Sequence, residues 1–267
     1  MKDKILIPLV ILLEIILFPH SSYSQEAREI RRFQVKEAMQ AVAVDKNYFY
    51  VINSSTITKH NKNNGIQVVK WDGKSDGIKH LNSGTVRKGK LYCATSNYPD
   101  SPMASSIEIF DANTLKHIEN HSFGIFSGSA TWIDQKGGYW YVGFAHYSGK
   151  GSSEGKDNRW TAIVKFSKQW QQVESWVFPE SIIEAFSPSS NSGAAWGKDG
   201  KLYCTGHDKA EIYVMEIPQT GFTLRHVKTI KTSVHGQGIA FDHSVKNNML
   251  LYGISRKDNL VIVSEIK

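Results

Sequence analysis

The residues of this sequence that could carry chemistry are histidines and polar residues at matching places of a repeated pattern. His207, Asp208 and His235 lie at such places and combine imidazole with carboxylate groups. An imidazole titrates near neutral pH, which suits a general acid or base. We therefore predict that these three are catalytic residues of a proton-transfer reaction on a small molecule, as an isomerase, a lyase or a lactonase would perform.

Ten more residues are predicted to bind the substrate, and they are hydrogen-bonding side chains with little charge. They are Gln40, His80, Asn82, Ser83, Ser129, His146, Asn191, Ser192, Gln237 and Arg256. The side-chain amides of this set would stabilise a developing oxyanion, and the guanidinium would pair with a carboxylate. The expected ligand is a small anionic or sugar-derived molecule, or a glycan. The alternative is that the serines and glutamines only bind water and fix the register of the repeats.

Other chemistries fit these residues less well. Glycoside hydrolysis normally requires two carboxylates about 5 to 9 Å apart, and only Asp208 lies at a matching inner position. A divalent metal such as zinc is the one cofactor that the residues suggest. Its ligands would be His80, His146, His207, Asp208 and His235, although their spacing follows no local metal motif. The sequence contains no Gly-x-Ser-x-Gly elbow between a strand and a helix, so the motif that would indicate a serine nucleophile is missing.

A repeated strand pattern must position these side chains. The segment Gln40-Ala-Val-Ala-Val-Asp45 is echoed by Gln237-Gly-Ile-Ala-Phe-Asp242, and looser copies begin at Ser83, Ser129 and Ser192. A second strand with a tyrosine follows each copy. Successive copies begin 43, 46, 63 and 45 residues apart, and repeats of about 40 to 50 residues with four strands are typical of propeller blades. We predict an all-β fold, a five-bladed β-propeller with four antiparallel strands in each blade.

The ring is predicted to close through the two ends of the chain. The fifth copy has only three strands, and the segment 30–35 supplies a candidate for the fourth. An N-terminal strand that completes the last blade would leave no unprotected edge. The alternative is a β-sandwich built from similar strands. In the propeller, the long loops 97–104, 147–160 and 179–190 share one face with the predicted site, where Tyr98 and Trp160 could stack on a ring-shaped ligand.

The first 24 residues have the order of a secretory signal peptide. Two lysines precede an apolar stretch over 5–18, and a small-residue segment ends at Ser24. The alternative, an uncleaved anchor, is disfavoured because spanning a bilayer takes roughly 20 apolar residues. We predict a signal peptide over 1–24, a single propeller domain over 25–267, and a secreted or periplasmic protein with no stable membrane anchor.

Composition limits the partners. The chain is 40% hydrophobic and 21% charged, so it is not a disordered segment. Its net charge of +7 favours anionic ligands, but export argues against nucleic acid. We expect a monomer. Cys93 and Cys204 fall on equivalent strands of blades that are not neighbours, so we expect two buried free thiols rather than a disulfide.

Five short segments carry a resemblance to a known family. They are His80-Leu-Asn-Ser-Gly84, Ala94-Thr-Ser-Asn-Tyr-Pro99, Asn191-Ser-Gly193, Thr205-Gly-His-Asp208 and His235-Gly-Gln-Gly238. Together they resemble a family of secreted bacterial β-propeller proteins commonly labelled cycloisomerase, which is distantly similar to carboxymuconate lactonizing propellers. The resemblance implies a cycloisomerase-like enzyme. The competing interpretation is a non-catalytic propeller that binds a glycan or a protein, and the feature that separates the two is whether His207, Asp208 and His235 reach one cavity.

Overall fold

Twenty β-strands, one α-helix and two short 3₁₀ helices make up the chain in a computed structural model that describes residues 27–267. The predicted signal peptide therefore lies outside the described residues. Within 27–267, no helix has both the length and the apolar character needed to cross a membrane. The strands form five sheets of four antiparallel strands each.

Each sheet is one blade, with its strands in chain order from the axis outward in the first four blades. The first strand of the chain, β1 (Arg28–Gln34), belongs to the last blade. Blade 1 comprises β2 (Ala41–Val44), β3 (Tyr48–Asn53), β4 (Thr56–Asn61) and β5 (Gln67–Asp72). Blade 2 comprises β6 (His80–Arg87), β7 (Lys90–Ser96), β8 (Ser105–Asp111) and β9 (His117–Gly124). Blade 3 comprises β10 (Ser129–Lys136), β11 (Tyr139–Ala145), β12 (Ala162–Phe166) and β13 (Gln172–Val177).

The last two blades complete the ring. Blade 4 comprises β14 (Gly193–Trp196), β15 (Leu202–Thr205), β16 (Glu211–Glu216) and β17 (Arg225–Lys231). Blade 5 comprises β18 (Ala240–Phe241), β19 (Met249–Ser255), β20 (Leu260–Ile266) and then β1. The prediction of a five-bladed propeller with four-stranded antiparallel blades is confirmed, and the sandwich alternative is wrong.

Strand β1 closes the ring as predicted. It pairs antiparallel with β20, from Arg28 opposite Glu265 to Gln34 opposite Leu260. The Arg28 guanidinium forms an ion pair with the Glu265 carboxylate at 2.5 Å, and the Phe33 ring is buried in the cluster between blades 5 and 1. The last blade is thus held together by non-covalent contacts between the two ends of the chain.

Apolar side chains fill the space between blades because successive residues of a strand face opposite neighbours. Trp132 and Trp196 are buried together in the cluster between blades 3 and 4. Cys93 and Cys204 are buried free thiols, as expected. Burial raises the pKa of both thiols, which keeps them protonated.

A short helix lies within the segment 179–190, which the sequence predicts to be a long loop. Helix α1 (Glu180–Phe186) connects β13 to β14 and buries Ile182, Ile183 and Phe186. These three residues are spaced one and three positions apart, which places them on one side of a helix. The Phe186 ring packs edge-on against Tyr213, with centroids 5.3 Å apart. The helix therefore covers part of the apolar surface of blade 4.

Buried Asp134 joins three blades. Its Oδ1 accepts hydrogen bonds from Thr85 Oγ1 at 3.1 Å and Arg87 Nη2 at 2.6 Å, both from blade 2. Its Oδ2 accepts one from the backbone N–H of Trp196, in blade 4, at 2.9 Å. A buried carboxylate is tolerated only when it is paired and hydrogen-bonded, and this one meets both conditions with partners from neighbouring blades.

The stability of the protein should depend on pH because five histidines have a lowered pKa in the folded state, and burial is the main cause of this lowering. These are His60, His80, His121, His146 and His243. In the unfolded chain their pKa returns to about 6.5, so below that pH the unfolded state binds more protons than the folded state. We expect the melting temperature to fall as the pH is lowered from about 7.5 to about 5.5. The change should be smaller in a His80→Asn, His243→Asn double variant, and a melting temperature that rises on acidification would contradict the prediction.

Candidate functional site

A polar cavity of about 430 Å³ opens on the face where the innermost strands begin. Every blade contributes to its lining. The lining residues are Gln40, His80, Asn82, Tyr98, Thr131, Tyr147, Gly149, Lys150, Pro188, Ser189, Ser192, His207, Gln237 and Arg256. A concave site where polar groups from several elements converge is the usual form of a small-molecule site.

The structure brings seven of the thirteen predicted site residues to this cavity. They are Gln40, His80, Asn82, Ser192, His207, Gln237 and Arg256. The first four and Gln237 precede or begin the innermost strands, and the other two follow the second strands of blades 4 and 5. Because the strands of a propeller converge on one axis, residues far apart in sequence reach the same mouth.

A hydrogen-bonded chain of three residues lies at the rim. Arg256 Nη1 is 3.1 Å from His207 Nε2, and His207 Nδ1 is 2.5 Å from Asp208 Oδ1. A guanidinium only donates hydrogen bonds, so Nε2 accepts and the His207 ring carries its proton on Nδ1, facing the carboxylate. Asp208 itself is exposed and lies outside the lining. It orients the ring of His207, which faces the cavity.

His80 is the second imidazole of the lining. Its Nδ1 is 3.4 Å from Ser54 Oγ, which also accepts a hydrogen bond from Gln40 Nε2 at 3.4 Å. Burial is the main cause that lowers the pKa of His80, a hydrogen bond with Asn82 opposes this shift, and the positive charge of Arg256 adds to it. The ring is therefore neutral at neutral pH and able to accept a proton.

Two tyrosines from long loops form an aromatic wall. The Tyr98 ring lies 5.3 Å from the ring of His80 and 5.1 Å from that of Tyr147, measured between centroids. Burial raises the pKa of Tyr147 to about 12, so its hydroxyl keeps its proton. The sequence indicates Tyr98 as a stacking residue, but Tyr147 is not among the predicted site residues.

The charged residues that line the cavity are both cations. Arg256 and Lys150 are cations, and none of the described residues that line the cavity is an aspartate or a glutamate. Positive charge in a ligand site attracts anions, and a guanidinium can donate two parallel hydrogen bonds to the two oxygens of a carboxylate. The lining therefore favours a small anionic ligand with further hydrogen-bonding groups.

Gln237 occupies a strained backbone position at the cavity. Its φ is 66°, in the left-handed region that residues other than glycine rarely adopt. The position is held because Gln237 donates its N–H to Gly206 O at 3.0 Å and its carbonyl accepts a hydrogen bond from Thr205 Oγ1 at 2.5 Å. Strain that the surroundings enforce is frequent at ligand sites.

Asn82, which was predicted, and Thr131, which was not, lie at bulges and line the cavity, whereas the predicted Ser83 and Ser129 do not line it. The pairing of β6 with β7 shifts between Leu81 and Gly84, and that of β10 with β11 shifts between Ala130 and Trp132. A bulge adds a residue to one strand and so changes which side chains share a face.

These two serines and Asn191 are buried between blades. Ser83 Oγ has no hydrogen-bond partner among residues 27–267, whereas Ser129 Oγ donates to Ser96 Oγ at 2.9 Å. Asn191 accepts a hydrogen bond from Trp132 Nε1 at 2.5 Å and donates to the carbonyls of Gly193 and Thr205. The Ser129–Ser96 and Trp132–Asn191 contacts join neighbouring blades, which agrees with the alternative that part of the polar ring fixes their register.

Two predicted histidines lie elsewhere. His146 is buried, and its ring lies against the backbone of Gly128. His235 is exposed and belongs to no part of the cavity lining. Of the three predicted catalytic residues, only His207 lines the cavity. Asp208 is hydrogen-bonded to His207 but does not reach the cavity itself, and His235 lies outside the cavity.

Across residues 27–267, no three His, Cys, Asp or Glu side chains lie close enough together to bind a metal ion. The proposed zinc ligands therefore do not fit a metal centre.

Other lining residues come from loops that have no counterpart in the repeat. Lys150, Gly149 and Tyr147 belong to the loop between β11 and β12, and Pro188 and Ser189 follow helix α1. The length of these two loops, 147–160 and 179–190, was the signal in the sequence that could have indicated them.

Comparison with solved structures shows β-propellers. A PQQ-bound aldose sugar dehydrogenase from Streptomyces coelicolor superimposes with a TM-score of 0.53 at 10% identity, over 91% of this chain and 98% of that one. A luciferin-regenerating enzyme gives a TM-score of 0.50 at 8% identity, over 91% and 95% of the two chains. No protein-family model matches the chain, and the search of curated proteins found no match. At these identities the likeness shows the fold, which is that of a β-propeller.

Proposed function

We propose that the axial cavity binds a small carboxylate-bearing polar metabolite and converts it by proton transfer, in the manner of a cycloisomerase-like isomerase or lyase. The observation that carries this proposal is the chain Arg256–His207–Asp208 at the rim of a cavity with no acidic lining among the described residues. It combines a carboxylate-binding guanidinium with an oriented imidazole, which are the two groups that such a reaction requires.

The same contacts suggest how binding and catalysis are linked. A substrate carboxylate that accepts hydrogen bonds from Arg256 would compete with His207 Nε2 for the guanidinium. Nε2 would then be free to remove a proton from the carbon next to the carboxylate, and the electron pair would delocalise onto the carboxylate oxygens held by Arg256. Asn82 and Gln237 would donate further hydrogen bonds to that anion.

His80 fits the role of the second acid/base group. It lines the cavity, and its lowered pKa keeps its ring neutral at neutral pH. His235, which the sequence suggested for this role, is exposed outside the lining. The imidazolium that forms when one of the two histidines removes a proton would deliver that same proton to another position of the substrate, as an isomerisation requires, and His80 would serve as the base for a proton on its side of the cavity.

Exchange of carbon-bound hydrogen with heavy water tests this proposal, because it detects proton transfer whatever the product is. We expect the protein to introduce deuterium into at least one member of a set of sugar acids, muconates and lactones, followed by NMR. His207→Gln should slow the exchange by about 100-fold or more, since general acid–base catalysis contributes at least that much. The surface variant His226→Gln is the control. Exchange that is equally fast in His207→Gln would exclude the acid/base role.

A non-catalytic propeller that binds a glycan or a protein is the second candidate function. Two exposed aromatic residues favour it, because Phe126 and Trp160 are 82% and 56% exposed on connections between strands. Lys156 links them, with Nζ 3.2 Å from the carbonyl of Phe126 and 5.6 Å from the centre of the Trp160 ring. Saturable binding of a sugar acid with no deuterium incorporation into any tested compound would support this function instead.

We also propose that the protein is exported and acts as a secreted or periplasmic monomer. The order of basic, apolar and small residues over 1–24 supports export. N-terminal sequencing of protein recovered from outside the cytoplasm should begin at Gln25. A sequence that begins at Met1 would contradict cleavage.

A further inference from the structure

A second cleft, of about 460 Å³, lies on the flank of the propeller beside blade 2. It is lined by β8, β9, the end of β7 and the connection from blade 1, and it shares no lining residue with the axial cavity. Buried residues such as Thr95 and Glu108 form its floor, while exposed residues such as Asn120 and Ser122 form its rim. Its size is within the range of small-molecule sites, about 300 to 1,000 Å³.

One residue at the floor of the cleft, Glu108, is charged, although the equivalent residues of the other blades are not. The equivalent residue of each blade is the one in the third strand that lies opposite the centre of the second strand. In blade 2 this residue is Glu108, which lies opposite Cys93. The residues at the same place in the other four blades are Thr58, Val164, Tyr213 and Ile262. Each of these four is uncharged. Placing a carboxylate between blades is unfavourable unless it is well paired, so packing alone does not account for Glu108.

Glu108 is held in place with unused hydrogen-bonding capacity. Its Oε1 accepts a hydrogen bond from Ser106 Oγ at 2.5 Å, and its Oε2 lies 2.8 Å from His117 Nε2. An ionised carboxylate offers about four acceptor sites, so two remain for a ligand. The side chain is 9% exposed, which shields it from bulk water and strengthens any charge-assisted hydrogen bond that it accepts.

The charges around the cleft select against anions. Asp76 is a second carboxylate in the lining, and the one lysine there, Lys79, forms an ion pair with Asp100 at 2.7 Å. The other basic side chain of the lining is His117, which contacts Glu108 through one ring nitrogen. This balance is the opposite of that at the axial cavity, where Arg256 and Lys150 are not accompanied by any acidic residue of the described lining. The remaining lining groups are mostly hydroxyls and amides, which bind sugar-like hydroxyls.

We propose that the flank cleft is a second ligand site, for a small hydroxylated amine in its ammonium form, such as an amino sugar. The ammonium group pairs with the Glu108 carboxylate at the floor. The hydroxyls of the ligand bond to Thr95, Asn120 and Ser122 around it. This site is independent of the proton-transfer reaction proposed for the axial cavity.

Glucosamine, glucose and glucuronate form a matched series of probes, because they share a ring and differ mainly in charge. With the intact protein and titration calorimetry, we expect glucosamine to bind with a dissociation constant of about 1 mM and glucose at least tenfold more weakly. Glu108→Gln, which removes the charge and keeps the shape, should weaken glucosamine binding by about tenfold. Glu119→Gln is the control, since Glu119 lies in β9 outside the cleft lining and the charge change is the same.

Two further variants make the result decisive. Ser122→Phe introduces a large side chain at an exposed position of the rim and should abolish glucosamine binding even if Glu108→Gln fails to fold. Arg256→Gln should leave glucosamine binding unchanged, so that failure at one site is distinguishable from failure at the other. The proposal is overturned if glucosamine shows no saturable binding at about 10 mM, or if it binds Ser122→Phe as tightly as the unaltered protein.

Discussion

Replacing Arg256 with glutamine is expected to weaken the binding of sugar acids at the axial cavity by roughly 10- to 100-fold, because hydrogen bonds to charged groups contribute about 1.5 to 3 kcal/mol. Arg256 is one of two cations in a lining that holds no acidic residue among those described. The loss should be confined to ligands with a carboxylate. Binding of galacturonate compared with galactose, measured by titration calorimetry, separates the charge effect from a general loss of the cavity.

Two variants control this experiment. Arg159→Gln removes the same charge from an exposed residue of a short 3₁₀ helix, which is paired with Asp157 and lies outside the cavity lining, and it should leave binding unchanged. Arg256→Lys keeps the charge but loses the forked geometry of the guanidinium, so an intermediate affinity is expected. If galacturonate and galactose lost affinity equally in Arg256→Gln, the electrostatic account of the cavity would be wrong.

Replacing Asp134 with alanine is expected to destabilise the protein by about 3 to 5 kcal/mol, since removing one partner of a buried ion pair leaves the other uncompensated. Arg87 would lose its carboxylate partner, and the backbone N–H of Trp196 would lose its acceptor. For a domain of this size the melting temperature should fall by on the order of 10 °C. Thermal and urea unfolding, monitored by circular dichroism, measure the change.

Asp199→Ala is the matched control for Asp134. The Asp199 carboxylate accepts hydrogen bonds from Tyr203 and Lys201, both within the same hairpin of blade 4. Its side chain is partly exposed, so the expected loss is about 1 kcal/mol. Asp134→Asn, which keeps an acceptor without the charge, should fall between the two. Equal unfolding midpoints for Asp134→Ala and Asp199→Ala would show that bonding across three blades adds nothing to stability.

The fold was predictable because the same strand pattern recurs in each blade of a propeller. The strands that begin near Gln40 and Gln237 share a pattern, and Leu91-Tyr-Cys and Leu202-Tyr-Cys mark the same strand in two blades. Repeat length and strand number then define the architecture. Even the closure by β1 followed from counting, because the last copy lacked one strand. Helix α1 was not predicted because its seven residues form only about two turns, which is too short to show a helical period of apolar residues.

The candidate site was less predictable because alignment to a repeat assumes regular strands. Bulges in β6 and β10 fall at Asn82 and Thr131, which line the cavity, while Ser83 and Ser129 lie between blades. A bulge leaves no reliable mark on hydrophobic periodicity. Tyr147 and Lys150 reach the cavity from a loop whose path depends on tertiary packing, and no repeat spacing encodes that path.

The closure of the ring has a consequence for how the protein acquires its structure. Arg28 and Glu265 are 237 positions apart, so their pairing is among the most non-local in the chain. Forming such contacts requires loop-closure entropy to be overcome first, which slows folding. During synthesis β1 precedes β20 and has no partner until β20 is complete. We expect the final cooperative step to be the docking of this strand, so a nascent chain keeps an open edge at its last blade until β20 has been made.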